Sequence, residues 1–483
     1  MALLTTLGHH LHGWNAGWTA GFVPFCVAQV IMAAAYTVHI STLAEIGAKV
    51  PGGSYGFARA VLGFYTGFLV AALELIQYIT QTALAVLLVG HLVAPRGFQP
   101  LVWAVVYAGV VALHQLRGKL LMQTMLIAVV LGGLLPVGLF LVGSLPHTNF
   151  AKHAVWVDND ANTSVWATGS TAFIASLPYT TYAYSGIESI SIVTNFARDP
   201  VHTIPRGSVY AVWTLVAVNM VMVFVVASLP HGISTSVEDE YLTNRGFQLA
   251  LGISANVAPY LILPSQCCIS FGFMMPIAKL TQAMADSNLL PSCLRLKSQP
   301  TSFRAIVVAS VIGYGLCLVA FLSPPAFQSN MRNVAILCAV VCNVTLGHGF
   351  ILLRTTFFVD SMSYDSPFGH IGVYFTWFTF CVLAISVFGG FQGDDGLAAG
   401  SFVGLVLLLS LYYLRLAKGV QTVSAEENAS NFKFSIMKFN KRKKPNKKKY
   451  KKFTSSHASS VAPSKKSVVK STAPGEGPLL FEY

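Results

Sequence analysis

Charge is what this sequence has least of. Only 10% of its 483 residues are charged and eighteen are acidic, whereas a soluble globular chain is roughly one quarter charged. Mean hydropathy is +0.62 and 54% of residues are hydrophobic, so a water-soluble enzyme or binding module is excluded. Cysteine is sparse and unpaired: the eight are scattered, five of them (Cys26, Cys317, Cys338, Cys342, Cys381) in apolar runs, with neither zinc-site nor disulfide-framework spacing. They read as small core residues. Also lacking are the basic start and cleavage site of a signal peptide. The opening "MALLTTLGHHLH" is apolar but too short to cross a bilayer, and it is expected to be the second half of a helix whose first half is absent.

What is present is a succession of apolar runs about as long as the twenty residues a membrane helix needs, the clearest being "GSVYAVWTLVAVNMVMVFVVASL" from Gly207 to Leu229. Their length fits helices and not barrel strands. Spans are expected at about 22–46, 62–93, 99–115, 120–144, 167–196, 207–229, 248–283, 305–324, 333–353, 371–390 and 397–414. The fold class is therefore an all-α polytopic membrane protein. Residues 1–417 form its membrane domain and 418–483 a disordered basic tail.

The formal charge of +13 sits almost wholly in that tail: from Lys418 onward fifteen Lys/Arg face four Glu, while the body has sixteen against fourteen acids. A basic tail beside a membrane is expected to lie against anionic lipid or to be merely solvated. A nucleic-acid partner is not expected. Lys and Arg in short loops collect on the cytoplasmic side. If the loop after the first full span is cytoplasmic, that side gathers Lys49, Arg59, Arg117, Lys119, Arg198, Arg206, Lys279, Arg295, Lys297, Arg304 and Arg354. The other side receives Arg96, Lys152, Arg245 and Arg332, together with Asp158, Asp160, Glu238 to Glu240, Asp394 and Asp395. The sequon at Asn162 then faces outside and can be glycosylated, whereas those at Asn343 and Asn428 should not be. Eleven crossings would leave the two ends on opposite sides, so an incomplete twelfth at the start restores an inside beginning and a cytoplasmic C-terminus. The plasma membrane is the expected location.

Two acids lie well inside spans: Glu74 in "AALELIQYITQTAL" and Glu188 in "YSGIES". Burying a carboxylate in a membrane costs several kcal/mol unless it faces a cavity or a partner, which makes both functional candidates. Glu74, Gln77, Tyr78 and Gln81 recur at helical spacing as one polar stripe, which can serve function or be an interhelical hydrogen-bonding seam. Around Glu188, Pro178 and Gly186 bracket "YTTYAYSG", a stretch able to leave helical geometry and free backbone groups for a ligand. The alternative is a kinked helix whose Ser and Thr satisfy its own backbone. No Ser/His, Cys/His or metal-ligand spacing surrounds either acid, so neither an enzyme nor a metal site is expected.

The string "FIASLPYTTYAYSGIESISIVTNFARDPVHTIPRG" resembles the sixth-helix signature and following loop of the amino acid–polyamine–organocation (APC) superfamily. "STLAEIGAKVPGGSYGFARAVLGFYTGF" is similar to that family's second-to-third helix passage, and "GFMMPIAKLTQAMADSNLLP" to its eighth-helix end. "GWNAGWTAGF" is similar to the exit from helix 1 in the ethanolamine-permease-like branch. The resemblance covers about residues 8 to 415. It implies two inverted five-helix repeats plus two C-terminal helices, with helices 1 and 6 unwound around the substrate. It further implies a secondary carrier of amino acids or related small amines, without a cofactor beyond a coupling ion, H+ or Na+. Substrate contacts then fall on the backbone of Tyr182, Ala183, Tyr184, Ser185, Gly186 and Ile187. Tyr182 becomes the lid, Glu188 and Glu74 the gating or coupling acids, and Gly8 the remnant of the helix-1 site.

Departures from the family pattern are specific. Asn195 and Phe196 stand where many members have two glutamates, and the span at 120–144 has no lysine of the kind some proton-coupled members carry. His9, His10 and His12 match no standard motif and are expected to be interfacial residues near a shortened first helix. The short first helix and long basic tail leave a rival, a non-transporting receptor or scaffold of the same fold.

Overall fold

The computed structural model describes Met1 to Phe439 apart from residues 51, 117, 159–162, 166–167, 193–197, 231, 296–302, 358–362, 394, 425–426, 429–430, 433–434 and 437–438. Asn162, Asn195, Phe196 and the tail from 440 onward lie outside the described residues.

The described residues are helical nearly throughout. A short α1 (Ala2–Thr6) passes into a 3-10 turn, Leu7–Leu11, and a second one, Asn15–Ala20. Then come α2 (Phe22–Lys49), α3 (Gly53–Leu62), α4 (Phe64–Val93) and α5 (Gln99–Leu113). The next span runs through α6 (Gly118–Ala128), a π-helical turn and α7 (Leu135–Ser144). After α8 (Phe150–His153), two three-residue strands, β1 (Trp156–Asp158) and β2 (Thr163–Val165), pair antiparallel with Trp156 opposite Val165. There follow α9 (Ser170–Thr180), α10 (Pro200–Ala227), α11 (Gly232–Ser236), α12 (Asn244–Leu251) and α13 (Leu263–Asp286). The last helices are α14 (Phe303–Leu322), α15 (Ala326–Leu352), α16 (Gly369–Phe388) and α17 (Leu397–Tyr412).

Ten helical stretches among the described residues are long and apolar enough to cross a membrane. They coincide with ten of the eleven expected runs; the eleventh, 167–196, is the broken element described below. Three boundaries differ most from expectation, and the run at 207–229 is one, since α10 already begins at Pro200. The run at 248–283 loses its first ten residues, because α12 is a separate amphipathic helix closed by Gly252 in left-handed geometry (φ 65) before a new start at Ala258–Pro259. The run at 333–353 instead starts earlier, since α15 begins at Ala326, directly after Pro324 and Pro325. Prolines before the first turn are compatible with a helix start, and nothing later in "AFQSNMRN" breaks it.

Packing gathers the described interior into four apolar cores, the two largest of which meet at a seam. One joins residues of α2, α10, α15 and α16, among them Tyr36, Val212, Phe350 and Phe380. The other joins α4, α5, α13 and α14 through Tyr78, Trp103, Phe273 and Ile306. The outer helices turn large apolar side chains outward, such as Leu126, Val142, Ile371, Phe378 and Leu408, as lipid requires and water would not. At the seam between the two cores lie the start of the chain and the segment after α9: Ala2, Leu7, Tyr184 and Ile187 belong to the first core, Leu4 to the second.

The end of the bundle that holds Lys49 and Arg59 carries two buried ionic clusters. In one, Glu45, fully buried, accepts from Lys49 Nζ (2.5 Å) and the backbone N–H of Ser366 (2.6 Å), and both donor arms of Arg354 reach it, Nε at 2.9 Å. In the other, Arg59 donates to the Tyr55 hydroxyl (2.6 Å) and the Thr422 carbonyl (3.1 Å) and pairs with Glu427 (3.4 Å). Ser424 and Glu427 hold each other in a reciprocal capping box, N–H to side chain in both directions. Thus Thr422, Ser424 and Glu427, which composition places in the tail, are bound to the membrane body.

Candidate substrate site

The element at 167–196 is interrupted near its middle. α9 carries Pro178 in its last turn, a 3-10 turn covers Tyr182–Tyr184, Ser185 is extended (φ −60, ψ 117) and Gly186 is left-handed (φ 93, ψ 0). A second 3-10 segment, Ile187–Ser191, resumes beyond. The expected break between Pro178 and Gly186 is therefore present, and glycine is required there twice over. Besides the positive φ, a Cβ on Gly186 would stand 2.5 Å from Phe273 Cζ and 3.1 Å from Thr5 Cβ.

The start of the chain lies directly against this break. Thr5 Oγ1 donates to the Gly186 carbonyl at 3.1 Å, and α1 packs on the segment Ile187–Ser191 and on α13. The Gly8 carbonyl accepts from Gln266 Nε2 at 3.4 Å, and a Cβ on Gly8 would meet Ile269 Cδ1 at 2.7 Å. His9, His10 and His12 are not interfacial, as their position near the terminus led us to expect; they are inside the bundle. His10 is buried at the seam, and His9 and His12 line the cavity described next. They are held there because Met1–Leu11 is packed between the two cores.

A cavity of about 260 Å³ opens between α4, α5, α13, α15 and the break. Its mouth carries His91 and Glu240, more than half exposed and joined at 2.7 Å; its wall includes Gln81, Trp103, Gln266 and Gln328, and its floor Tyr182. Below the Tyr182 ring is a pocket of about 10 Å³, bordered by Thr181, Tyr182, Ser185, His9, Gln81 and Arg332, room for about one water. Tyr182 is buried, its ring lies under the Arg332 guanidinium at 4.9 Å, and a Cβ on Gly13 (φ 95) would be 2.6 Å from its Cε1. The ring is thus wedged between Gly13 and Arg332, and its buried hydroxyl has no protein hydrogen-bond partner.

Of the residues singled out in the sequence, Tyr182 and Ser185 border these spaces and the side chains of Tyr184 and Ile187 do not. Tyr184 is fully buried, stacks on Tyr36 at 4.9 Å and accepts from Asn219 Nδ2 at 3.3 Å. Ile187 and Ala183 are core residues. The polar stripe on α4 is intact and each member has a distinct neighbour. Gln81 faces the cavity, Gln77 Nε2 donates to Glu188 Oε1 at 2.6 Å, Tyr78 stacks on Phe273 at 5.4 Å, and Glu74 accepts from Ser54 Oγ at 2.6 Å. Glu74 and Glu188 are both buried, and the partner of each is a neutral donor.

Two residues escaped the sequence reading. Arg332, expected in an outside loop, belongs to α15 and overhangs Tyr182, because that helix begins seven residues before the apolar run. Glu45, expected at a span end, is the hub of the buried cluster with Lys49 and Arg354. For Arg332 the available signal was the uninterrupted stretch after Pro324–Pro325; for Glu45, whose arginine lies 309 positions away, there was none.

A multi-pass helical membrane protein with a helix broken beside a polar cavity is built as a solute carrier. The chain matches the amino acid permease family over residues 3–420 and belongs to that family, whose members are transporters and not enzymes. The resemblance to APC proteins is thereby shown. No curated protein matches the chain.

Proposed function

We propose that this amino acid permease is a secondary carrier working by alternating access, with the solute entering through the cavity and bound at the break between Tyr182 and Gly186, beneath the Tyr182 ring, where the small pocket widens to take it. The observation that carries the reading is the break itself. It lies at the seam of two cores, it adjoins a cavity open to one end, and an aromatic ring covers its pocket. Carbonyls that leave helical geometry favour a cation, and a helix N-terminus favours an anion. The amino group of the solute is accordingly assigned to the break and its carboxylate to the backbone N–H groups at the start of the 3-10 turn Leu7–Leu11, beside Gly8. Tyr182 acts as the lid, and Glu188, which accepts from Gln77 one turn from the cavity-lining Gln81, and Glu74, held by Ser54, act as the coupling acids. No cofactor is assigned besides a coupling ion, H+ or Na+. The protein is placed in the plasma membrane with its C-terminus in the cytoplasm and its basic tail on anionic lipid.

The test is uptake by purified protein in liposomes, under a proton or a sodium gradient, of amino acids, polyamines and ethanolamine. Accumulation or exchange of one of these is expected. No uptake of any under either gradient would sink the proposal.

A further inference from the structure

The cavity carries one permanent positive charge beside its floor, and no acid stands next to it. Arg332 borders both the 260 Å³ cavity and the small pocket beneath Tyr182. A guanidinium does not deprotonate in a protein. Among the described residues no ion pair is formed by Arg332; its contact is the face of the Tyr182 ring, 4.9 Å away. The acid in the cavity wall, Glu240, is at the mouth, 64% exposed and bound to His91. The floor pocket has no Asp or Glu at all. It does have groups able to donate, including the Tyr182 hydroxyl and the His9 ring, both with buried atoms lacking a protein partner. An ionised side chain within a membrane body is costly and is kept where a partner or a ligand meets it.

We infer that Arg332 determines specificity in this cavity and that the solute is an amino acid whose side chain bears a carboxylate, held by the guanidinium. The inference rests on the amino acid carrier reading and narrows it. A polyamine or ethanolamine would bring an ammonium towards Arg332 with no counter-charge on the floor, which is repulsive at low effective dielectric. A neutral amino acid would leave the guanidinium unpaired. The guanidinium carbon stands over the Tyr182 ring at 4.9 Å, and among the described residues no hydrogen bond is donated by Arg332, so its N–H groups are available for a two-pronged pair with a carboxylate.

The experiment is uptake of labelled L-glutamate, L-alanine, L-arginine and putrescine by full-length protein in liposomes, for wild type, Arg332→Gln and Arg332→Lys. Wild type is expected to prefer glutamate to alanine by about tenfold or more, a difference of about 1.4 kcal/mol. Arg332→Gln should cut the glutamate-to-alanine ratio by about tenfold or more, whatever its effect on total uptake, and Arg332→Lys, which keeps the charge but not the fork, should fall between. If Arg332→Gln does not fold, thermal stabilisation of the wild type by glutamate over alanine supplies the same comparison. An unchanged ratio in Arg332→Gln, or equal stabilisation by the two amino acids, overturns the inference. Uptake of alanine, arginine or putrescine without glutamate overturns it too while the carrier reading stands; no uptake of any of the four removes both.

Discussion

Replacing Gly186 by alanine tests whether the interrupted helix is a specified structure, because the two costs of that methyl group can be separated. The backbone at Gly186 has φ 93, where an L-residue is strained by about 1–2 kcal/mol. The added Cβ would also stand 2.5 and 2.7 Å from the Phe273 ring atoms, and forced overpacking costs about 1–3 kcal/mol. Phe273 cannot easily yield: it is fully buried, stacked on Tyr78 and edge-on to His9. If the backbone shifts instead, the Thr5–Gly186 hydrogen bond at 3.1 Å is lost, about 1 kcal/mol. The expected total is about 2–5 kcal/mol, read as a lower melting temperature of the purified protein and a loss of uptake. A companion Phe273→Leu change makes room and should restore the overpacking share but not the backbone share. The double mutant is then expected to couple favourably by about 1–3 kcal/mol. Gly186→Ala melting with the wild type and transporting at its rate would refute the reasoning.

Other perturbations follow from the same contacts. Tyr182→Ala should weaken retention of bound solute more than Tyr182→Phe, since the ring covers the pocket and the hydroxyl has no protein partner; equal effects in a dissociation assay would remove the lid role. Gly13→Ala, strained at φ 95 and 2.6 Å from Tyr182 Cε1, should reproduce the Tyr182→Ala defect from outside the ring, and a wild-type dissociation rate would contradict it. Glu45→Gln leaves Lys49 buried with its Glu45 partner gone and Arg354 without its bidentate carboxylate, and should cost about 3–5 kcal/mol in thermal unfolding. Glu427→Ala should release the segment after α17, seen as faster proteolysis between Lys418 and Lys433; no change would show that the Arg59 contact does not hold it.

The spans were legible because length and hydropathy are local properties. So was the break, because Pro178 and Gly186 act on their own backbone and Glu188 announces itself as an acid in an apolar run. What could not be read depends on distant partners. Tyr184 and Ile187 sit in the break, yet their side chains turn to Tyr36 and the first core. The Arg59–Glu427 pair joins positions nearly at opposite ends of the chain. Arg332 was missed for another reason: the polar "FQSNMRN" has the composition of a loop, but Asn330 and Asn333 are buried and Arg332 half-buried on the first turns of a membrane helix. Polar residues mark a helix end only when they face water, and here Gln328 and Arg332 line a cavity while Asn330 and Asn333 are packed inside.

The two ends of the bundle are unequally closed, and this bears on which step of a transport cycle would be hard. At the end with Lys49, closure depends on two directional ionic clusters. One ties α2 to the π-helical turn Leu353–Phe357 that continues α15, and to Ser366; the other ties α3 to Glu427, which also binds Ser287 Oγ at 2.9 Å. Buried pairs of this kind are costly to break one partner at a time, so opening there needs water to reach both clusters together. At the other end the cavity is already open past His91 and Glu240, an exposed pair worth about 0–1 kcal/mol. In an alternating-access cycle, closing that end would take little more than movement of Tyr182 and Arg332 over a bound solute. On the alternating-access reading, the solute must therefore supply its binding energy where it matters most, at the seam where Thr5 and Gly186 already join the two cores. A carboxylate paired with Arg332 would draw α15 towards the break, and α15 is the helix whose far end carries Arg354. Arg354→Lys, which loses the two-pronged hold on Glu45 while keeping its charge, is then expected to raise solute exchange and lower thermal stability at once. A variant that lost stability with no change in exchange would separate the cluster from the cycle.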